Sequence, residues 1–423
     1  MHLILLLLLI SLIVLGLPVY LSLGITSLYY FVASGVLTNT LAQTAVAGAD
    51  NFLLTAIPLF VLAGGLMNSG GITKRLIKLC NALVGHFVGG LGQVNVVVSM
   101  IFAGMSGSSL SDTSALGKVL IPAMKEEGYE PGFSAAVTAS SAIVGPIIPP
   151  SIPMVIAASL AGISIGRLFL ATTFPGIILG FLMMIVVYVV SRKKNYPSYP
   201  RATAKEVFVA FKDSFFALLT PIIIVGGILG GIFTATEAAA VASVYALFVA
   251  VFIYKEITWK SLYKECLDTA KFTGQIMILV SFIKSYNYIL TRTRFPNIIY
   301  DYITGISTEP TVIILLVILF SLVVGMFLSG NAAVMLVVPL LAPLPAQLGL
   351  SPFYFYSIVA ITLCFGTLTP PIGLNLYLAN SIAETPIQNT LRAMLPFYFV
   401  LFLGLIIFVL FPPLTTWLPS LMK

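Results

Sequence analysis

Two double-proline motifs interrupt long apolar segments of this chain, in places where a membrane helix would otherwise run. The first, "GPIIPPSIP", spans Gly145–Pro153, and the second, "GTLTPPIGL", spans Gly366–Leu374. Proline removes a backbone donor, frees the carbonyl four residues earlier and clashes with the preceding turn. Irregular backbone survives at membrane depth only where it is buried in protein or faces a polar cavity. The two motifs therefore require a fold that shelters two broken helices.

The balance of apolar and charged residues places the chain in a lipid bilayer. Of its 423 residues, 59% are hydrophobic and 8% are charged, and the mean hydropathy is +1.09. A soluble protein could not keep so much apolar surface from water, so we predict an all-α polytopic membrane protein. The apolar runs do not alternate, which argues against an outer-membrane barrel. We interpret the formal net charge of +7 as a mark of cytoplasmic loops and expect no nucleic-acid partner.

The two motifs belong to an internal repeat with an offset of 221 residues. Composition alone would place about one identical Gly or Pro pair on such a gap-free register. The chain has eight: Gly104/Gly325, Pro122/Pro343, Gly128/Gly349, Pro131/Pro352, Gly145/Gly366, Pro149/Pro370, Pro150/Pro371 and Pro175/Pro396. We therefore predict a duplicated chain, with the two broken helices at equivalent positions.

The basic residues predict how the two halves are oriented. They form clusters around Lys74, around Arg192 and between Lys255 and Lys271, and such clusters favour the cytoplasm. Tracing back from the first cluster through single helices at Leu3–Ser22, Ser27–Val46 and Asn51–Met67 places the N-terminus in the periplasm. The first half then crosses the membrane an odd number of times. We therefore predict inverted repeats, with both termini periplasmic.

The predicted first repeat covers residues 1–190 and ends at a cytoplasmic linker, residues 191–212. It contains scaffold helices, an arm, a re-entrant hairpin at 90–127 and a broken helix at 133–163. The tip of this hairpin is the Gly/Ser-rich stretch Gly104–Ser114.

The predicted second repeat covers residues 213–423, with a hairpin at 311–348 that opens from the outside and a broken helix at 353–383. Two amphipathic segments, Ile72–His86 and Lys255–Phe272, are predicted as interfacial arms. Paired broken helices in inverted repeats are typical of secondary transporters with binding sites near the bilayer midplane.

Three stretches carry a resemblance to a known family. "GMSGSSLSDTSALGKVLIPAM", "SSAIVGPIIPPSIPMVI" and "GTLTPPIGLNLY" resemble the large membrane subunit of tripartite ATP-independent periplasmic (TRAP) transporters, within the ion transporter superfamily. The resemblance covers nearly the whole chain. It implies an elevator-type, sodium-coupled importer in a bacterial inner membrane. It also implies two protein partners, a small four-helix membrane subunit and a periplasmic binding protein that delivers an organic acid.

The resemblance also implies two sodium sites, built largely from backbone oxygens where a hairpin tip meets a helix break. At the first site the implied residues are Ala103, Ser106, Gly145, Ile148 and Pro149. At the second site they are Gly325, Gly366, Thr369 and Ile372.

The substrate residues are predicted mainly from hydroxyls at the first hairpin tip. Ser108, Ser109, Asp112 and Pro150 are the candidates there, because hydroxyls suit a hydroxylated or carboxylated solute. Ser111 or Asp112 could instead serve as the N-cap of the following helix. Arg292, in "NYILTRTRFP", could form a bidentate pair with a substrate carboxylate, although snorkelling at the interface is the alternative for this arginine.

Other functional classes remain possible at this point. A self-sufficient sodium/carboxylate or ion transporter of the same fold would need no binding protein. An intramembrane protease would need a partner for Asp112, and the sequence suggests none, so we expect no enzyme activity. The sequence contains no G-x-x-x-x-G-K-[ST] motif, so this chain is not expected to use ATP.

Overall fold

The computed structural model describes residues 2–422, and 81% of the chain is helical, with no strand among the residues described. This confirms the all-α prediction. The helices up to the linker are α1 (His2–Val14), α2 (Val19–Ala33), α3 (Thr38–Ala49), α4 (Ala56–Ser69), α5 (Ile72–Val84), α6 (Gly90–Ser106), α7 (Ser109–Glu126), α8 (Pro131–Ala142), α9 (Ile152–Ala161) and α10 (Ile165–Lys194).

The second half begins after the linker. Its helices are α11 (Ala204–Leu229), α12 (Ala235–Phe248), α13 (Trp259–Arg292), α14 (Phe295–Ile306), α15 (Pro310–Phe327), α16 (Gly330–Leu340), α17 (Leu344–Gln347), α18 (Pro352–Gly366), α19 (Leu374–Ala383), α20 (Ile387–Leu410) and α21 (Pro413–Leu421). Within residues 2–422, seven helical segments are long and apolar enough to cross a membrane. They are Phe52–Ser69, Ile165–Lys194, Ala204–Leu229, Ala235–Ile253, Trp259–Arg292, Pro310–Phe327 and Ile387–Leu410.

Both double-proline motifs fall at helix interruptions. Residues 143–151 separate α8 from α9, and residues 367–373 separate α18 from α19. The Pro149–Pro150 and Pro370–Pro371 peptide bonds are both cis. Each segment predicted as a hairpin is a pair of helices with a tight turn, α6 with α7 and α15 with α16. The membrane re-entry of these hairpins and the inverted orientation of the halves stay predictions.

The predicted single helices at Leu3–Ser22 and Ser27–Val46 are wrong. In the structure α1 ends at Val14, and α2 starts only after Pro18. Proline lacks a backbone donor and disfavours helix in the residue before it, so a new helix begins there. A second boundary follows at Gly35, where φ is +67°, a conformation that glycine adopts readily. The segment therefore forms three short helices.

The predicted arm at Lys255–Phe272 is part of a longer element. The structure starts α13 at Trp259, after a capping box formed by Thr258 and Ser261, and continues it without interruption to Arg292. Helix α13 packs against α2, α3 and α4, while α4 packs against α12 and α5 against α11. These helices form one group, from which α13 extends toward the hairpin tips.

The remaining helices show crossed packing between the two halves. Helix α7, from the first hairpin, packs against α19, the second half of the other broken helix. In the equivalent manner, α16 packs against α9. Helix α8 also contacts α20, and α15 contacts α18. The two tips and the two breaks therefore meet in the middle of the molecule.

Candidate functional site

The first hairpin tip and the first break share a direct backbone contact. The Ile152 N–H donates to the Gly107 carbonyl at 3.4 Å, where Gly107 has a φ of +61°. A methyl group added at Gly104 would lie 3.7 Å from the Pro149 carbonyl oxygen. The predicted residues Ala103 and Ser106 lie at the end of α6, while Gly145, Ile148 and Pro149 lie in the break. The structure thus brings the two parts of the predicted first site together.

Asp112 links these two parts. It lies in the first turn of α7 and is fully buried. Ser106 Oγ donates a hydrogen bond to Asp112 Oδ1, while Oδ2 has no hydrogen-bond partner among the described residues. A methyl group added at Gly145 would collide with this Oδ2 and would lie 3.2 Å from Cγ. A buried carboxylate oxygen without a partner is costly, so this position favours a cation.

The serines of the first tip have roles different from simple capping. The N-cap of α7 is Ser108, and its side chain makes no cap hydrogen bond. The alternative in which Ser111 or Asp112 is the N-cap is therefore wrong, because both lie inside the helix. The Ser108 N–H instead donates to Ser106 Oγ at 3.2 Å. The N-terminus of α7 therefore has no side-chain cap, and helix N-termini with free N–H groups favour anions.

Two cavities adjoin this tip. A small one, of about 30 Å³, lies where both tips and both breaks meet, and Ser108, Ser109 and Thr367 are among its lining residues. A larger one, of about 230 Å³, is lined by the tip on one side and by α4 and α13 on the other, while Gly64 of α4 also lies directly against Met105 and Ser106. Its lining includes Ser106, Ser108 and Ser111 from the tip and Gly64, Gly65, Glu265, Asp268 and Thr269 from the opposite wall.

Glu265 and Asp268 were missed by the sequence reasoning. Glu265 Oε1 accepts a hydrogen bond from Ser69 Oγ, so its carboxylate is held against α4. The spacing of three residues, which puts both acids on one helix face, was the available signal. The wall opposite the serines therefore carries negative charge.

In the second half, the tip and the break meet through two glycines. A methyl group added at Gly325 would lie 2.6 Å from the Leu363 carbonyl oxygen, and one added at Gly366 would lie 2.8 Å from the Met326 nitrogen. Thr369 lies in the break, and its Oγ1 donates to the Phe365 carbonyl at 3.1 Å. Ile372, also in the break, is 39% exposed. The structure thus joins Gly325 to Gly366 and places Thr369 and Ile372 in the same break.

Asn375 is a further polar group at the second break. It is fully buried, and its Nδ2 donates to Thr367 Oγ1 at 3.2 Å. Its Oδ1 has no partner among the described side chains and backbone. On the 221 register Asp112 is equivalent to Ala333 and Asn375 to Met154, so the two halves bury these polar groups on different helices. The signal was an asparagine inside an apolar stretch.

Arg292 lies apart from both breaks. It is exposed at the end of α13, and its Nη1 donates to Tyr288 Oη at 3.1 Å. Pro150, in contrast, lies at the first tip, because a methyl group on Gly107 would be 2.7 Å from its carbonyl oxygen. The structure therefore joins Ser108, Ser109, Asp112 and Pro150 but does not bring Arg292 to them.

The sequence of the chain matches a family model over residues 6–414, described as the DctM component of the tripartite ATP-independent periplasmic transporters. A sialic acid TRAP transporter large permease protein, SiaM of Vibrio cholerae, is 39% identical over 96% of this chain and 95% of its own length. The 2,3-diketo-L-gulonate large permease protein YiaN of Escherichia coli is 38% identical, over 88% of each chain. The C4-dicarboxylate large permease protein DctM of Pseudomonas aeruginosa is 35% identical, over 90% of each.

Among solved structures, the Alcanivorax borkumensis YdaH transporter matches with a TM-score of 0.64. The match covers 91% of this chain and 88% of that one at 15% identity, so it shows a shared fold. The family model and the relatives go further, because they match nearly the full length at high identity. The chain therefore belongs to the TRAP transporter large permease family and is a multi-pass membrane protein.

Proposed function

We propose that this chain is the large permease subunit of a sodium-coupled importer of an organic acid in a bacterial inner membrane. It would work with a small four-helix membrane subunit and receive its solute from a periplasmic binding protein. The relatives are named for sialic acid, 2,3-diketo-L-gulonate and C4-dicarboxylates. These solutes all carry a carboxylate, which supports an organic acid as the substrate class.

Asp112 is the observation that carries the sodium proposal. Its unpartnered Oδ2 faces Gly145 of the break, and its Oδ1 is held by Ser106 of the tip. Hard cations prefer oxygen ligands, and the surroundings offer a carboxylate, a hydroxyl and backbone carbonyls. A sodium ion there would neutralise the buried charge and tie the tip to the break. The same ion would add positive charge beside the first N–H groups of α7.

The larger cavity supports an elevator-type movement. One wall of this 230 Å³ space belongs to α4 and α13 and the other to the first tip. A carboxylate entering it would find its favourable partners on the tip, because the facing wall carries Glu265 and Asp268. The solute would therefore travel with the tip, while α4 and α13 stay as the scaffold. Arg292, on the scaffold, would meet the solute in another conformation.

The test is uptake by the chain reconstituted in liposomes with its membrane partner and binding protein. Uptake should require sodium outside and should stop when choline replaces it. Full activity driven by a proton gradient alone would refute sodium coupling. Equal uptake without the binding protein would instead favour the self-sufficient carrier.

The Asp112→Asn variant tests whether Asp112 contributes to the proposed sodium site. Asparagine keeps the shape and can still accept from Ser106, but it removes the charge. We expect the sodium concentration for half-maximal uptake to rise by about tenfold or more, because charge-assisted interactions exceed neutral ones. Asp213→Asn is the matched control, since Asp213 pairs on the surface with Lys78 at 3.4 Å. An unchanged sodium requirement in Asp112→Asn would remove this residue from the site.

A further inference from the structure

A basic cavity lies far from the hairpin tips, between the ends of α8, α10 and α20. Its volume is about 550 Å³. Lys193, Lys194 and Arg392 line it together with Glu130 and Asn389. These ends carry the Arg192 cluster, which the positive-inside rule assigns to the cytoplasm. The transport chemistry described above uses none of these residues.

Two of the three cationic side chains that line this cavity have no hydrogen-bond or ion-pair partner among residues 2–422. Lys194 forms an ion pair with Glu130. Lys193 and Arg392 are exposed and make no hydrogen bond or ion pair with any residue that the structure describes. The cavity therefore holds two uncompensated positive charges.

Two helix N-termini add to this positive potential. Helix α8 begins at Pro131 and α20 at Ile387, and neither N-cap side chain makes a cap hydrogen bond. A methyl group added at Gly132 would lie 2.8 Å from the Asn389 carbonyl carbon, so the two first turns are packed together. Helix N-termini favour anions through their free N–H groups and dipoles.

The other walls of the cavity are apolar. Val190, Phe133, Ala393 and Pro396 continue from the charged end along α10 and α20. Further along the same helices, Ile185, Leu395 and Phe399 are 57%, 64% and 70% exposed, as is suitable for contact with lipid. A ligand that fits this site carries an anionic head at the basic end and an apolar tail along the helices.

We propose that this cavity binds the phosphate headgroup of an anionic phospholipid. Basic pockets between membrane helices on the cytoplasmic side suit such headgroups. Because α8 and α20 pack with the hairpin and broken-helix elements, the bound lipid would contact this part of the protein. This inference goes beyond the proposed transport function and does not depend on it.

The test measures phospholipid binding to the full chain by native mass spectrometry, with phosphatidylglycerol as the probe and phosphatidylcholine as the comparison. Lys193→Gln with Arg392→Gln should lower the affinity for phosphatidylglycerol by about tenfold or more, because each basic residue near an anionic surface contributes roughly fivefold. Lys260→Gln with Lys264→Gln is the matched control. It removes the same charge from exposed positions on α13 and should change the affinity much less.

A variant that is expected to bind phosphatidylglycerol more tightly distinguishes loss of a binding site from misfolding. Glu130→Gln removes the only acid lining the cavity among the described residues and releases Lys194. The affinity for phosphatidylglycerol should rise by roughly fivefold. Equal binding of phosphatidylglycerol by the parent and the Lys193/Arg392 variant would overturn the proposal, as would equally tight binding of phosphatidylcholine. Thermal stabilisation of the lipid-free parent, but not of that variant, by inorganic phosphate would assign the site to a soluble anion instead.

Discussion

Gly366 lies against Gly325 so closely that neither position can hold a side chain. The second hairpin and the second break therefore meet backbone to backbone, and Thr369 follows this contact by three residues along the break. The first half has a looser contact, in which Gly145 faces the Asp112 carboxylate rather than another glycine. The two proposed ion sites thus differ in construction although their glycines are in register.

Gly366→Ala should separate the second tip from its break. Its methyl group would lie 2.8 Å from the Met326 nitrogen, and overpacking typically costs about 1–3 kcal/mol. We expect a lower thermal stability and a higher sodium concentration for half-maximal uptake. Gly274→Ala is the control, because no atom lies within 4 Å of its added methyl group. It should be neutral or stabilising. If both variants have the same thermal stability and the same sodium requirement, the close contact does not contribute to function.

Thr369→Val should raise the sodium concentration for half-maximal uptake. The Thr369 hydroxyl donates to the Phe365 carbonyl at 3.1 Å and so holds the unwound turn. A lost hydrogen bond typically costs about 1 kcal/mol, or roughly a fivefold change in affinity. Ile148→Val, at the equivalent position of the first break, leaves all hydrogen bonds intact and should change sodium affinity less than about twofold. Sodium titrations of uptake compare the two, and a parent-like Thr369→Val would leave only backbone oxygens at this site.

Asn375→Leu should impair the second ion site without unfolding the protein. The change removes the bond from Nδ2 to Thr367 Oγ1, at 3.2 Å, and the unpartnered Oδ1. Asn380→Leu is the control on the same helix, since Asn380 bonds Thr385 and Thr390 away from the break. Both variants should lose some stability, but only Asn375→Leu should need more sodium for uptake. The same sodium requirement in both would make Asn375 a packing residue.

Arg292→Ala tests the scaffold side of the proposed substrate path. If Arg292 meets the substrate carboxylate after the tip has moved, uptake should fall by about tenfold or more, since charge-assisted hydrogen bonds are roughly twice as strong as neutral ones. Binding of the small subunit should be unaffected. Arg294→Ala is the control, because Arg294 is exposed two residues further along the chain, and its effect on uptake should be mild. Normal uptake by Arg292→Ala would leave this arginine with its contact to Tyr288 alone.

The features that sequence predicted well are those set by short-range chemistry. Two prolines after a glycine unwind a helix wherever they stand, so both breaks fall within the predicted segments. The bounds of α1, α2 and α3 differ from the two predicted helices, because the prediction follows hydropathy and gives less weight to the helix-ending residues Pro18 and Gly35. The pairing of Asn375 with Thr367 and the position of Glu265 facing the serines depend on contacts between helices, which hydropathy does not encode.

The crossed packing of α7 on α19 and of α16 on α9 has a consequence for the history of such a chain. Each second hairpin helix packs on both broken helices, because α7 contacts α8 as well as α19, and α16 contacts α18 as well as α9. In a single half, the surface of α7 or α16 that the other half covers would be open to lipid. Two such halves could first have met as separate molecules. Once the two halves are joined, each depends on the other for this contact, so we expect a gene shortened to one half to encode a product that cannot complete the packing.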